Sequence, residues 1–316
     1  MTTILIVNDF ADVYATAIAQ LFPQVEVLKA AGQAEALTLA ARADAVVALG
    51  QHFNEALIAA APRARWLHAL TSGVDSILRA PSLRPDVAVT SSIGAHGPQM
   101  SEAALAMMLY MAREMGRMRD NQAAHRWAQF EPDLLSGATV AILGVGHIAV
   151  DLAQRCRALG MRTLGVTSRQ RQVEGFDAIF TRDALAEAVA AARHLVVLLP
   201  LDASTRGLVD AKVMAALPRG AYLTNLSRGG IVVEADLLAA LDSGHLAAAA
   251  LDVFDTEPLP PESPFWDHPK VLVSPHIGGK SRTYREQVLP YLLDNLEHFL
   301  AGHPEAMRNL SAKGRR

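Results

Sequence analysis

The runs TILIV, VEVL, ADAVVAL, RWLHAL and VAVTS, and then TVAIL, RTLGV, HLVVLL, AYLTNL, AAAALDV and VLVSP, punctuate the chain, each parted from the next by a stretch of helical periodicity. A strand that is apolar at every position is buried on both faces, and strands alternating with helices build βαβ units. The expected fold class is therefore α/β, with parallel sheets covered on each side. With 316 residues the chain has room for two domains, each burying its own core. An apolar helical pattern from about Gln99 to Met118 and the polar passage RDNQAAHRWAQFEPDLLSG separate the two sets of strands, and a fresh βαβ series starts at Thr139. No repeat of fixed period, low-complexity tract or Gly/Ser linker interrupts this pattern, and the terminal SAKGRR reads as a solvated, frayed end.

Charge narrows the partners. A net charge of −3 with 19% charged residues offers no basic field for nucleic acid or an anionic membrane. The single cysteine, Cys156, rules out an internal disulfide framework and fits a reducing compartment, so a cytoplasmic location is expected. MTTILIVNDFADVY lacks the basic and apolar regions of a signal peptide and reads as a first buried strand. The longest apolar run, AALAMMLYMA, is far short of the roughly 20 residues a spanning helix needs. With no HExxH and no clustered His, Asp and Glu, no metal site is expected.

TVAILGVGHIAVDLAQRCRALG places Gly144, Gly146 and Ala149 in the GxGxxG/A pattern, directly after a strand and at the start of a helix. Gly144 permits the tight turn, Gly146 admits a pyrophosphate close to the backbone, and Ala149 keeps helix and sheet together. The amides of His147 and Ile148 at the helix start then face the phosphates, while the His147 imidazole is given no role. A dinucleotide fold of this kind commonly ends its second strand in an acid that binds the ribose 2′-hydroxyl of NAD. Here the strand RTLGV runs into TSRQR, so Ser168 removes that charge and Arg169 and Arg171 can meet a 2′-phosphate. The reading is NADP(H) preferred and NAD(H) possible; arginines after a strand are also often merely solvated.

Three further segments, NLSRGGIVVEADLLAAL, ALDVFDTEPLP and VSPHIGG, together with the glycine loop, resemble the D-isomer-specific 2-hydroxyacid dehydrogenase family, which includes glyoxylate/hydroxypyruvate reductases. The resemblance runs from about Leu67 onward and is most specific between Thr139 and Gly279. It implies two doubly wound domains with a cleft between them. One is a Rossmann cofactor domain over 100–282, and the other a flavodoxin-like substrate domain over 1–99 and 283–316, with the helical pattern Ser281 to Leu300 returning to it. Closure about the crossovers near residues 100 and 282 would exclude water before hydride transfer. The resemblance also implies a homodimer formed through the cofactor domain, to which the methionine-rich helix AALAMMLYMAREM can contribute, unless that stripe is plain core.

Carried onto this chain, the family pattern makes Arg228 the substrate-binding arginine, Glu257 the carboxylate and His276 the acid/base. Reduction of a 2-keto acid needs a proton for the carbonyl oxygen and a counter-charge for the carboxylate, which imidazole and guanidinium supply. HALTSGVDSIL implies that the backbone of Ser72, Gly73 and Val74 binds the substrate carboxylate; Gln51, His52 and Phe53 lie where they can reach a side chain. Pro200, Thr205 and Asp252 are implied cofactor contacts, Asp252 near the nicotinamide carboxamide. Each also has an ordinary reading as strand terminator, helix-start hydroxyl or strand-end acid. SSIGAHGPQMSE and GGKSRTY depart from the usual family segments, so His96, Lys280 and Arg282 either shape specificity or are solvated.

The expected activity is NADPH-dependent reduction of glyoxylate, hydroxypyruvate or a similar small 2-keto acid to the D-2-hydroxy acid. Alternatives are another family dehydrogenase, such as phosphoglycerate or phosphite dehydrogenase, or an NAD(P)-sensing, corepressor-like binding protein without turnover. Glu257 stands where formate dehydrogenases have glutamine.

Overall fold

A computed structural model describes residues 1–311; the segment AKGRR, within the terminal stretch expected to be solvated, lies outside the described residues. The chain forms two compact units, Met1–Ala95 with 281–311, and His96–Lys280. Each holds a parallel sheet flanked by helices. Among the described residues no helix is long and apolar enough to cross a membrane.

In the first unit, strands β1 (Thr2–Val7), β2 (Val25–Ala30), β3 (Ala45–Ala48), β4 (Trp66–Ala69) and β5 (Ala88–Ser91) lie in the order β2-β1-β3-β4-β5, the flavodoxin-like arrangement. The apolar run of β1 is explained by its two faces. Leu5 and Val7 join Val46, Leu67 and Val89 in one core layer. Ile4 and Ile6 face the other, with Val47, Trp66 and the last helix, Tyr284–Ala301, through Val288, Leu292 and Leu296. The period of two along the strand assigns alternate residues to opposite layers.

The second unit carries β6 (Thr139–Leu143), β7 (Arg162–Thr167), β8 (Ala178–Thr181), β9 (His194–Val197), β10 (Ala221–Asn225), β11 (Leu246–Leu251) and β12 (Val271–Val273), in the order β12-β11-β10-β9-β6-β7-β8. Strand order reverses between β6 and β9, and ligands of such sheets bind at the carboxyl ends of the strands beside that switch point.

Two elements differ from the sequence reading. β8 was not anticipated: it is a four-residue edge strand whose residues are all half-buried, so it carries no apolar run. The helix expected over Gln99–Met118 is two helices, Gly97–Ala112 and Met115–Ala123, broken at Glu114, which adopts a left-handed φ of 49°. The first buries Met100, Ala104, Met107, Met108 and Met111, whereas the second buries nothing, so packing has no hold on the axis beyond Ala112.

Candidate active site

The glycine loop stands at the end of β6. Gly144 has a φ of +98°, and a Cβ there would lie 2.7 Å from the Leu198 carbonyl oxygen, just past the end of β9, the strand across the switch point. Only glycine fits both the dihedral and the approach. Gly146 precedes the helix His147–Ala158 as its cap; a Cβ on it would meet nothing within 4 Å, and no side chain caps the helix. The amides of His147 and Ile148 thus start an uncapped helix beside open space, which is what a pyrophosphate requires. Ala149 is buried against the sheet. Ser168, Arg169 and Arg171 are exposed just past β7, and Arg171 Nη2 donates to the Val145 carbonyl within the glycine loop. The residues present fit a dinucleotide.

Arg228, Glu257 and His276 come together. They line one pocket of about 360 Å³, with Leu201, Arg206 and Phe254 among its other walls. The loops bearing them follow β10, β11 and β12, neighbouring strands of one sheet, so residues far apart in sequence share one edge. His276 Nδ1 stands 2.7 Å from Glu257 Oε2. A carboxylate can only accept, so Nδ1 carries the hydrogen and Nε2 is the nitrogen left for a ligand. Glu257 is fixed in turn by the Phe254 amide, which donates to Oε1 at 3.0 Å. Arg228 is exposed and donates from Nη1 to the Ser227 carbonyl at 2.6 Å, while the Asn225 side-chain amide donates to the Arg228 carbonyl at 3.2 Å.

His276 has a φ of 52°, a left-handed conformation that few residues other than glycine adopt. Asp252 explains how it is held. Its Oδ1 accepts from the Ile277 amide at 2.9 Å and from the Ser274 hydroxyl, and its Oδ2 accepts from the Gly278 amide at 2.9 Å. A Cβ on Gly278 would lie 2.8 Å from Asp252 Oδ2, so glycine lets the carboxylate in. The buried Asp252, expected as a cofactor contact, has both oxygens committed to the loop that presents His276. Thr205, another expected contact, is fully buried, and its hydroxyl donates to the Pro200 carbonyl at 2.7 Å and accepts from the Asp202 amide at 2.8 Å. It shapes the loop after β9, on which Pro200 is exposed. The anchoring work of Asp252 and Thr205 was missed because short acceptor networks leave no periodic trace in sequence.

In the first unit Ser72, Gly73 and Val74 are half-buried at the carboxyl end of β4, ahead of the short helix Asp75–Arg79. The loop after β3 touches them: the Gly50 amide donates to Thr71 Oγ1 at 3.0 Å, and a Cβ on Gly50 would meet Gly73 O at 2.7 Å. On that loop Gln51 is exposed and His52 half-buried, but Phe53 is 1% exposed inside the core and is not placed to reach a ligand. His96 is buried next to Gly279, whereas Lys280 and Arg282 are exposed. Among the described residues no cluster of His, Cys, Asp and Glu could hold a metal.

Comparison with known proteins matches residues 105–278 to the family model described as D-isomer specific 2-hydroxyacid dehydrogenase, NAD binding domain. A crystal structure of a D-isomer specific 2-hydroxyacid dehydrogenase family protein from Aeromonas salmonicida is 31% identical, covers 99% of each chain and superposes with a TM-score of 0.91. A D-isomer specific 2-hydroxyacid dehydrogenase from Xanthobacter autotrophicus in complex with NADPH and MES is 29% identical, with 99% of each chain covered and a TM-score of 0.85. The same identity, coverage and score relate the chain to an NADPH-dependent glyoxylate/hydroxypyruvate reductase from Sinorhizobium meliloti in complex with NADP and sulfate.

Proposed function

Since the chain belongs to the D-isomer specific 2-hydroxyacid dehydrogenase family, whose members are NAD(P)-dependent enzymes, we propose that it reduces a small 2-keto acid, glyoxylate or hydroxypyruvate in the first instance, to the D-2-hydroxy acid with NADPH. The observation that carries this reading is the 2.7 Å contact between His276 and Glu257 on the wall that also bears Arg228. When bound, the dinucleotide supplies the hydride that adds to C2. The chain's own residues do the rest. The His276 imidazolium gives the proton from Nε2 to the carbonyl oxygen, closing the balance of one keto acid, one NADPH and one proton to one hydroxy acid and one NADP⁺. Glu257 holds Nδ1–H, which fixes the ring and its tautomer and leaves Nε2 to face the substrate. Arg228 takes the keto-acid oxygens through two parallel N–H bonds, a geometry that lysine cannot offer. The Ser72, Gly73 and Val74 backbone is assigned to the substrate carboxylate.

For the cofactor, support comes from the missing acid at Ser168, from the two arginines after it, and from the NADPH and NADP complexes of the Xanthobacter and Sinorhizobium proteins. For a homodimer, support comes from large apolar side chains left in solvent on the second unit, Trp127 at 94% and Leu134 at 62% exposure, which a partner copy would cover.

Turnover of a panel of 2-keto acids, followed through loss of the reduced nicotinamide with NADPH and NADH in parallel, tests the activity. His276→Ala should lose on the order of 10²–10⁴ in kcat while keeping its fold by circular dichroism. Full activity of that variant, or dinucleotide binding without turnover of any keto acid, refutes the proposal.

A further inference from the structure

The three residues assigned to chemistry sit on separate loops, and what fixes the distance between the arginine loop and the acid loop is the dipeptide Phe254–Asp255. On one side the Phe254 amide holds Glu257, and through it His276. On the other, the backbone of this dipeptide presses against the arginine loop: a Cβ on Gly229 would fall 1.9 Å from the Phe254 carbonyl oxygen and 2.6 Å from the Asp255 nitrogen. The contact is closed by Asp255, whose Oδ1 accepts from the amide of Gly230, two residues past Arg228. Gly230 is itself in the left-handed region at +75°, and its carbonyl accepts from the Gly207 amide at 2.7 Å. Behind Asp255 stands Glu234, at the start of the helix Glu234–Asp242, with Oε1 accepting from the Asp255 amide at 2.8 Å. Desolvation, with Asp255 nearby, raises the pKa of the Glu234 carboxyl above its ordinary value.

Asp255 also lines the pocket that holds Arg228 and His276. A carboxylate on the wall of a pocket for an anionic substrate opposes binding by its charge, so its value there must lie in what it holds in place. We infer that Asp255 is a positioning residue: its hydrogen bond to Gly230 latches the arginine loop onto the acid loop and sets the spacing between the Arg228 guanidinium and the His276–Glu257 pair. The inference rests on the keto-acid reductase reading. It concerns Arg228 through its backbone, not contact with substrate.

The test is a double-mutant cycle on the full chain with glyoxylate or hydroxypyruvate and NADPH. Asp255→Ala should lower kcat/KM by about tenfold or more with the Kd for NADPH changed by less than about threefold, and in an Arg228→Ala background its further effect should shrink to within about threefold. Asp255→Asn keeps an oxygen for the Gly230 amide and should recover most of the loss. Glu234→Ala, which removes only the anchor behind the latch, should show the same signature at smaller size. A loss that persists undiminished without Arg228, a defect confined to NADPH binding, or an asparagine variant as impaired as the alanine one overturns the inference alone. Full activity of Arg228→Ala removes the underlying reading, and the inference with it.

Discussion

Ser168, Arg169 and Arg171 show how far single residues carry the argument. Their types and position past the second strand of the glycine-loop unit give the expectation of a 2′-phosphate site, and in the structure all three are exposed there, with Arg171 reaching back to the Val145 carbonyl. Replacing Arg169 and Arg171 together by alanine should raise KM for NADPH about tenfold or more while leaving KM for NADH within about threefold, because the 2′-phosphate loses both guanidinium partners whereas the lost Arg171 bond to the Val145 carbonyl affects both cofactors alike. Steady-state kinetics with both cofactors checks this; equal effects on the two would mean that the arginines serve the loop and not the phosphate. Arg228, Glu257 and His276 were singled out through the family resemblance and not by their local sequence, and the structure brings the three onto one pocket wall. Asp252 was legible only in identity. Its work, two amides and a hydroxyl gathered onto one buried carboxylate, depends on a turn at His276 that nothing in the local sequence announces.

Elements were readable where both faces are buried and obscure where packing is one-sided, as β8 and the break at Glu114 show. β9 adds a case of its own. His194 opens that strand at 1% exposure, stacked on Tyr222 with ring centroids 4.9 Å apart, and neither ring nitrogen has a hydrogen-bond partner. Burial, with Arg193 adding to it and Asp133 opposing, lowers its pKa from 6.5 to about 4. The folded strand therefore refuses a proton that the unfolded chain accepts below pH 6.5. The stability owed to the neutral ring is complete above that pH and drains away as pH falls toward 4. His194→Phe, which keeps the ring stacking, should flatten the acid limb of melting temperature against pH between 6.5 and 4. A variant whose melting temperature falls as steeply as that of the parent would show that other groups govern the acid loss. His68 in β4 belongs to the same class, buried fully and held down to about 3, but it is bonded to Thr90 and Ser92.

The molecule as a whole is two units with separate cores, and the glycine loop with its helix belongs entirely to the second. A ligand that binds one folded unit stabilises it by RT ln(1 + [L]/Kd). Scanning calorimetry should therefore resolve two transitions, of which NADPH at about 100-fold its Kd raises one by a free energy of about 2.7 kcal/mol and moves the other little. A single transition shifted as a whole would mean that the two cores melt as one.

The helix Tyr284–Ala301 completes the first unit by seating Val288, Leu292 and Leu296 on the layer formed by Ile4, Ile6 and Trp66. A ribosome delivers that helix only after the whole of the His96–Lys280 unit. The contiguous His96–Lys280 unit has all its parts outside the exit tunnel while the earlier strands still lack their cover, reversing the usual N-to-C order in which nascent domains mature. During that interval the sheet of the leading segment leaves an apolar face uncovered, the kind of surface that binds chaperones attending translation.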